Sequence, residues 1–131
     1  MGGIRVLIVD DQELYRSALS GLLDIVGGYE VVGLAASGEE GIELTSRTMP
    51  DLVFMDLRLP GVDGLAAARS IRDAPDPPEV IMISTDVEGL PEHRVRAAGA
   101  LAARAKADLD PEWLESLRDR LTVAPPGRRG R

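Results

Sequence analysis

A chain of 131 residues with a formal net charge of −7 and no cysteine is the size of one domain, large enough to bury a core without covalent staples. The missing cysteines exclude disulfides, thiolate metal sites and thiol nucleophiles, and fit a reducing compartment. The acidic body repels phosphate backbones, so direct nucleic-acid binding is not expected. No apolar run approaches the roughly 20 residues a membrane span requires, and Met1-Gly2-Gly3 leads straight into a strand without a signal peptide; a cytoplasmic protein is expected.

Ile4 to Val9 (IRVLIV) is apolar and β-branched with almost no alternation, the pattern of a strand covered on both faces, as in parallel sheets. After Asp10-Asp11, residues 12–26 place Leu14, Ala18, Leu22 and Ile25 at helical spacing, with Leu19 and Leu23 widening the stripe; Gly27-Gly28 ends it. Glu30 to Ala35 predicts a second strand. Ser37 with Glu40 forms a capping box for a helix to about Thr48, which Pro50 stops. Asp51 to Met55 predicts strand three, running into Asp56, and Leu65 to Arg72 a helix with Leu65, Ala68 and Ile71 inward.

Prolines 75, 77 and 78 mark a solvated loop. Glu79 to Ile83 predicts strand four, with Ser84-Thr85 at its end. Gly89 and Pro91 confine a fourth helix to about Pro91 through Ala98, and Gly99 closes it. Ala100 to Ala105 is placed as strand five by its position before Lys106, although alanine favours strands poorly and Arg104 is expensive to bury. Pro111 to Leu121 predicts a last helix, capped by Asp110, with Trp113, Leu114, Leu117 and Leu121 on one side. A tail over residues 122–131 reads as a flexible appendage or linker, beyond a domain over 1–121.

Strands alternating with helices predict an α/β fold, a doubly wound five-stranded parallel sheet with five flanking helices. In that architecture ligand sites lie at the carboxyl ends of the strands. Those ends carry Asp10, Asp11, Asp56, Ser84 and Lys106. An isolated aspartate after a strand is usually a turn or cap residue, and a lone lysine a solvated one; their common placement at one sheet edge reverses both readings. Three carboxylates brought together either protonate or hold a cation, and oxygen donors without histidine or cysteine favour Mg²⁺. A phosphoryl group on Asp56 would satisfy the metal on one side and Lys106 with Ser84 on the other. His93, the single histidine, reads as a helix-surface residue because no second one completes a metal set.

IVDD (8–11), MDLRLPGVDG (55–64), IST (83–85) and AAGA with the later lysine (97–100, 106) together resemble the receiver domain of two-component response regulators, over about residues 4–121. The opening IRVLIVDDQELYRSAL is most similar to receivers of the NarL/FixJ type, which usually precede a helix-turn-helix output domain. The resemblance implies a CheY-like sheet of flavodoxin-like order 2-1-3-4-5. It implies Asp56 as phosphoacceptor from a sensor histidine kinase, with Mg²⁺ held by Asp10, Asp11, Asp56 and the carbonyl of Arg58. Ser84 and Lys106 would contact the phosphoryl oxygens, while Arg58 and Asp86 stand where relatives tune dephosphorylation. Phosphorylation would then switch homodimerisation or partner binding, and control transcription through an output domain. Such a domain is a signalling phosphoacceptor rather than an enzyme.

Two positions depart from the family: Ala103 stands where many receivers have a switch tyrosine or phenylalanine, and Ala107 replaces a frequent proline. The first motivates an alternative, an interaction module that signals independently of phosphorylation. An aspartate-nucleophile phosphatase ranks below both, since it would want an acid two residues after Asp56 and Arg58 stands there. Trp113 is either packing or part of a dimer face, and Arg128, Arg129 and Arg131 either begin a linker or form a polar tail.

Overall fold

Runs of branched apolar residues without alternation can be satisfied only by cover on both faces, and the chain provides it. The computed structural model describes residues 3–86 and 90–122. Strands β1 (Ile4–Val9), β2 (Tyr29–Ala35), β3 (Leu52–Asp56), β4 (Glu79–Ser84) and β5 (Ala102–Ala105) form one all-parallel sheet in the order β2-β1-β3-β4-β5. Helices α1 (Glu13–Val26), α2 (Gly38–Thr48), α3 (Gly64–Arg72), α4 (Glu92–Ala97) and α5 (Pro111–Thr122) connect and cover them, and a 3₁₀ turn spans Lys106–Asp108. The tail from Pro125 and the glycine at 89 lie outside the described residues.

Alternate side chains of the strands feed two separate cores, as the two-residue strand period requires. On one face Leu7, Val9, Val53, Met55, Val80 and Met82 pack with Leu65, Ala68 and Ile71 of α3 and Val95 of α4. On the other, Val6, Ile8, Phe54, Ile81 and Ile83 pack with Leu19 and Leu23 of α1 and Leu114 and Leu117 of α5. Every residue of β3 is buried, which fits its central place between β1 and β4.

The inward stripe expected on α1 needs correction. Leu14 and Ile25 are 86% and 81% exposed and Ala18 also faces solvent, whereas Leu19 and Leu23 are buried, flanked by half-buried Tyr15, Leu22 and Val26. Both sets have helical spacing; the one completed by Tyr15 and Val26 faces the sheet, a choice that periodicity alone does not make. Smaller differences lie at element ends: Gln12 and Pro91 are N-caps, outside α1 and α4, β3 extends through Asp56, and β5 begins at Ala102.

Capping follows the sequence closely. Glu40 N–H donates to Ser37 Oγ at 3.1 Å, and the Glu40 carboxylate accepts from Ala36 N–H at 2.9 Å. Asp63 caps α3 and Asp110 caps α5, each accepting a backbone N–H at 2.9 Å. The partly buried Arg104 stacks its guanidinium 4.7 Å from the Trp113 ring centroid and donates from Nε to the Asp108 carbonyl at 3.0 Å. Its charge is thereby kept at a wet edge with aromatic and carbonyl partners, which offsets the expected cost of placing it in a strand.

Candidate functional site

The carboxyl ends of β1 and β3 are adjacent because these strands pair, Val9 with Met55. Asp10 follows Val9 and is anchored by its own N–H, which donates to the Ala35 carbonyl of β2 at 2.9 Å. Asp10 Oδ1 accepts the Gln12 N–H at 2.8 Å, and its carbonyl accepts from Arg16 Nη1 at 2.7 Å, so the first turn of α1 is tied to the acid. Asp56 closes β3, its Oδ1 accepting the Arg58 N–H at 3.1 Å while Leu57 N–H donates to the Ile83 carbonyl at 2.8 Å. The loop beyond folds back tightly: a Cβ on Gly64 would lie 2.1 Å from the Asp56 carbonyl oxygen, so only glycine lets α3 start there.

Carboxylate oxygens of Asp10, Asp11 and Asp56 lie within 4.8 Å of one another, with Asp10 and Asp56 buried and Asp11 exposed. Lys106 reaches them from the end of β5, its Nζ 2.6 Å from Asp10 Oδ2 and 3.3 Å from Asp56 Oδ2. The shorter contact is an ion pair off the hydrogen-bonding direction, and Asp10 Oδ2 has no hydrogen-bond partner although it is buried. Ser84, also buried, ends β4 next to this group: its register partner Ala105 immediately precedes Lys106, and its Oγ accepts the Asp86 N–H at 3.3 Å. Arg58 extends an exposed side chain from the loop after β3. An open cleft of about 420 Å³ adjoins, lined by Leu57, Arg58, Asp63, Leu65, Asp86, Leu90 and Arg94.

The electrostatics follow from burial among like charges. Asp56 holds its proton more tightly than an ordinary aspartate, first because it is desolvated and further because Asp10 is near, although the Arg58 N–H and Lys106 act against this. For Lys106 burial disfavours the ammonium, but Asp10 and Asp56 outweigh it and raise the pKa. The Tyr15 hydroxyl is pushed up to about 12 by burial and then by Asp10 and Asp56. Two buried acids balanced by one lysine leave net negative charge, and a hard divalent cation fits that donor set: three carboxylates close together, one offering a buried oxygen without a hydrogen bond.

Sequence reading overlooked two neighbours of Lys106. Gln12 Oε1 accepts from Nζ at 3.1 Å, and the Tyr15 ring centroid lies 4.6 Å from it. Both sit at the start of α1, close along the chain to Asp10-Asp11, but their contact with Lys106 depends on how α1 lies over the end of β5.

An open parallel sheet whose carboxyl edge gathers acids from two neighbouring strands and a lysine from a third defines a class: doubly wound α/β proteins with a ligand site where the strand order reverses. Within it, the chain belongs to the response regulator receiver domain family of two-component systems, whose family model matches residues 6–107. The transcriptional regulatory protein LiaR of Bacillus subtilis is 33% identical over 115 residues, 88% of this chain and 54% of that protein. The chain therefore spans about half the length of the curated relatives it matches. Among solved structures, the signal receiver domain of NarL from Mycobacterium tuberculosis superposes with a TM-score of 0.84 at 28% identity, covering 95% of this chain and all (100%) of that one. The receiver domain of the sensor histidine kinase PA1611 from Pseudomonas aeruginosa, with magnesium coordinated in its active-site cleft, gives 0.80 at 25% identity, covering 94% and 100%.

Proposed function

We propose that this receiver accepts a phosphoryl group on Asp56 from the phosphohistidine of a sensor histidine kinase, with Mg²⁺ held by Asp10, Asp11, Asp56 and the Arg58 carbonyl. The observation that carries the reading is the convergence of the three carboxylates with the Lys106 ammonium 3.3 Å from Asp56. An Asp56 carboxylate oxygen attacks phosphorus, an O–P bond forms as the donor P–N bond breaks, and the imidazole leaves with the electron pair and takes up a proton. Lys106 then pairs with a phosphoryl oxygen and the Ser84 hydroxyl donates to another. Mg²⁺ neutralises charge on the transferred group when bound, and the magnesium held by the PA1611 receiver supports its choice here.

The receiver is taken as residues 1–121, with 122–131 as tail or linker. Phosphorylation shifts the population between two conformations and so changes homodimerisation or partner binding. LiaR is a transcriptional regulatory protein of which the matched region makes up 54%, which supports transcriptional control through an output domain, with this domain itself making no contact to DNA. Incubation with acetyl phosphate and Mg²⁺ should add the mass of one phosphoryl group to the chain and none to the Asp56→Asn variant. Equal modification of both would reject the site.

A second reading rests on Ala103, which together with Leu90, Val95 and Leu101 lines a groove of about 290 Å³ between α4 and β5. A receiver that docks a partner there irrespective of phosphorylation would sediment identically with and without beryllofluoride. A clear shift in association state favours the first reading.

A further inference from the structure

Resting on the phosphoacceptor reading, the geometry points to Gln12 and Tyr15 as positioning residues that keep the Lys106 ammonium beside Asp56 when a divalent cation takes Asp10 and Asp56 away from it. Among the described residues, Lys106 Nζ meets Asp10 Oδ2 at 2.6 Å, Asp56 Oδ2 at 3.3 Å, Gln12 Oε1 at 3.1 Å and the Tyr15 ring at 4.6 Å. The two anions are also the candidate metal ligands. A divalent ion among them competes for the same oxygens and repels the ammonium, so both ionic partners weaken together. The amide oxygen of Gln12 and the face of Tyr15 are neutral and outside the acidic group, and the ion does not compete for them.

The seat is built into the start of α1. Gln12 N–H donates to Asp10 Oδ1 at 2.8 Å and Arg16 Nη1 to the Asp10 carbonyl at 2.7 Å, which fixes this turn against the strand end that carries the acid. Tyr15 is half-buried, packed against the core on the α1 and α5 face, and presents its ring to Nζ within the range of a cation–π contact. Lysine reaches the site on a flexible four-carbon stem, so without such partners its head would swing to solvent once the acids are occupied. Held in place, it meets the incoming phosphoryl oxygen without reorganisation.

Calorimetry with Mg²⁺ alone and with beryllofluoride at saturating Mg²⁺ separates this role from a structural one. In a Gln12→Ala/Tyr15→Leu double variant, leucine retains apolar packing but removes the ring face. Its beryllofluoride affinity is expected to fall about tenfold, the scale of one cation–π contact plus one hydrogen bond, while its Mg²⁺ affinity becomes no weaker. Tyr15→Phe, which keeps the ring and loses the hydroxyl, should bind beryllofluoride within about twofold of wild type. Wild-type beryllofluoride affinity in the double variant overturns the inference alone, as does a parallel loss of Mg²⁺ and beryllofluoride binding with a lowered Tm. Failure of the wild-type chain to bind beryllofluoride with Mg²⁺ would overturn the phosphoacceptor reading itself.

Discussion

At the scale of single residues, a side chain's surroundings decide its chemistry more than its type does. Tyr29 shows this away from the site. Its hydroxyl donates to the Leu114 carbonyl at 2.6 Å, and burial raises its pKa above the ordinary 10.0. Tyr15 is raised to about 12. Each folded-state value lies above the unfolded one, so the folded chain retains protons that the unfolded chain releases; the associated stability is complete below pH 10.0 and is lost as pH rises through the folded values. Because these are the two tyrosines of the sequence, alkaline titration should show no tyrosinate band near the ordinary pKa while the far-ultraviolet dichroism stays native. Half-ionisation there with the fold intact would contradict the assignment. Tyr29→Phe, which removes the bond to Leu114, should cost about 1 kcal/mol in a denaturant titration. Gly64 makes the complementary point about backbone: Gly64→Ala places a methyl against the Asp56 carbonyl. It should lower Tm and slow phosphorylation together, because the loop carrying Arg58 must move.

At the scale of elements, residue types with strong local rules were legible and the choice between equivalent faces was not. Ser37, Asp63 and Asp110 cap helices because their short polar side chains satisfy free N–H groups; Asp110 and the Ser37–Glu40 pair were visible as such from local spacing. On α1, in contrast, Leu14, Ala18 and Ile25 had the same periodicity as the residues that actually meet the sheet, and only the packing of α1 against its neighbours resolved the ambiguity. Leu23→Ala should therefore destabilise by about 2–5 kcal/mol, whereas Leu14→Ala and Ile25→Ala should stay within about 0.5 kcal/mol of wild type, as measured by urea unfolding. A large loss at Leu14 would restore the stripe read from periodicity. The fifth strand was weak on propensity and placed by its position before Lys106; the stacking of Arg104 on Trp113, which a sequence does not display, explains how an arginine is tolerated there.

For the whole molecule, order along the chain carried the fold: apolar strands alternating with capped helices lead to a parallel sheet, and a parallel sheet sends strands one, three, four and five toward one edge. Asp10, Asp56, Ser84 and Lys106 could thus be gathered from sequence, whereas the seat of Lys106 on Gln12 and Tyr15 could not, since it depends on how α1 leans over that edge. The proposed role of this edge is that of a phosphoryl-acceptor pocket with Asp56 as its nucleophile. Borohydride reduction after treatment with acetyl phosphate and Mg²⁺ converts an aspartyl phosphate to homoserine, which peptide mass spectrometry locates. Homoserine is expected at position 56 and only when Mg²⁺ is present; homoserine at Asp10 or Asp11, or none anywhere in the chain, would overturn that role.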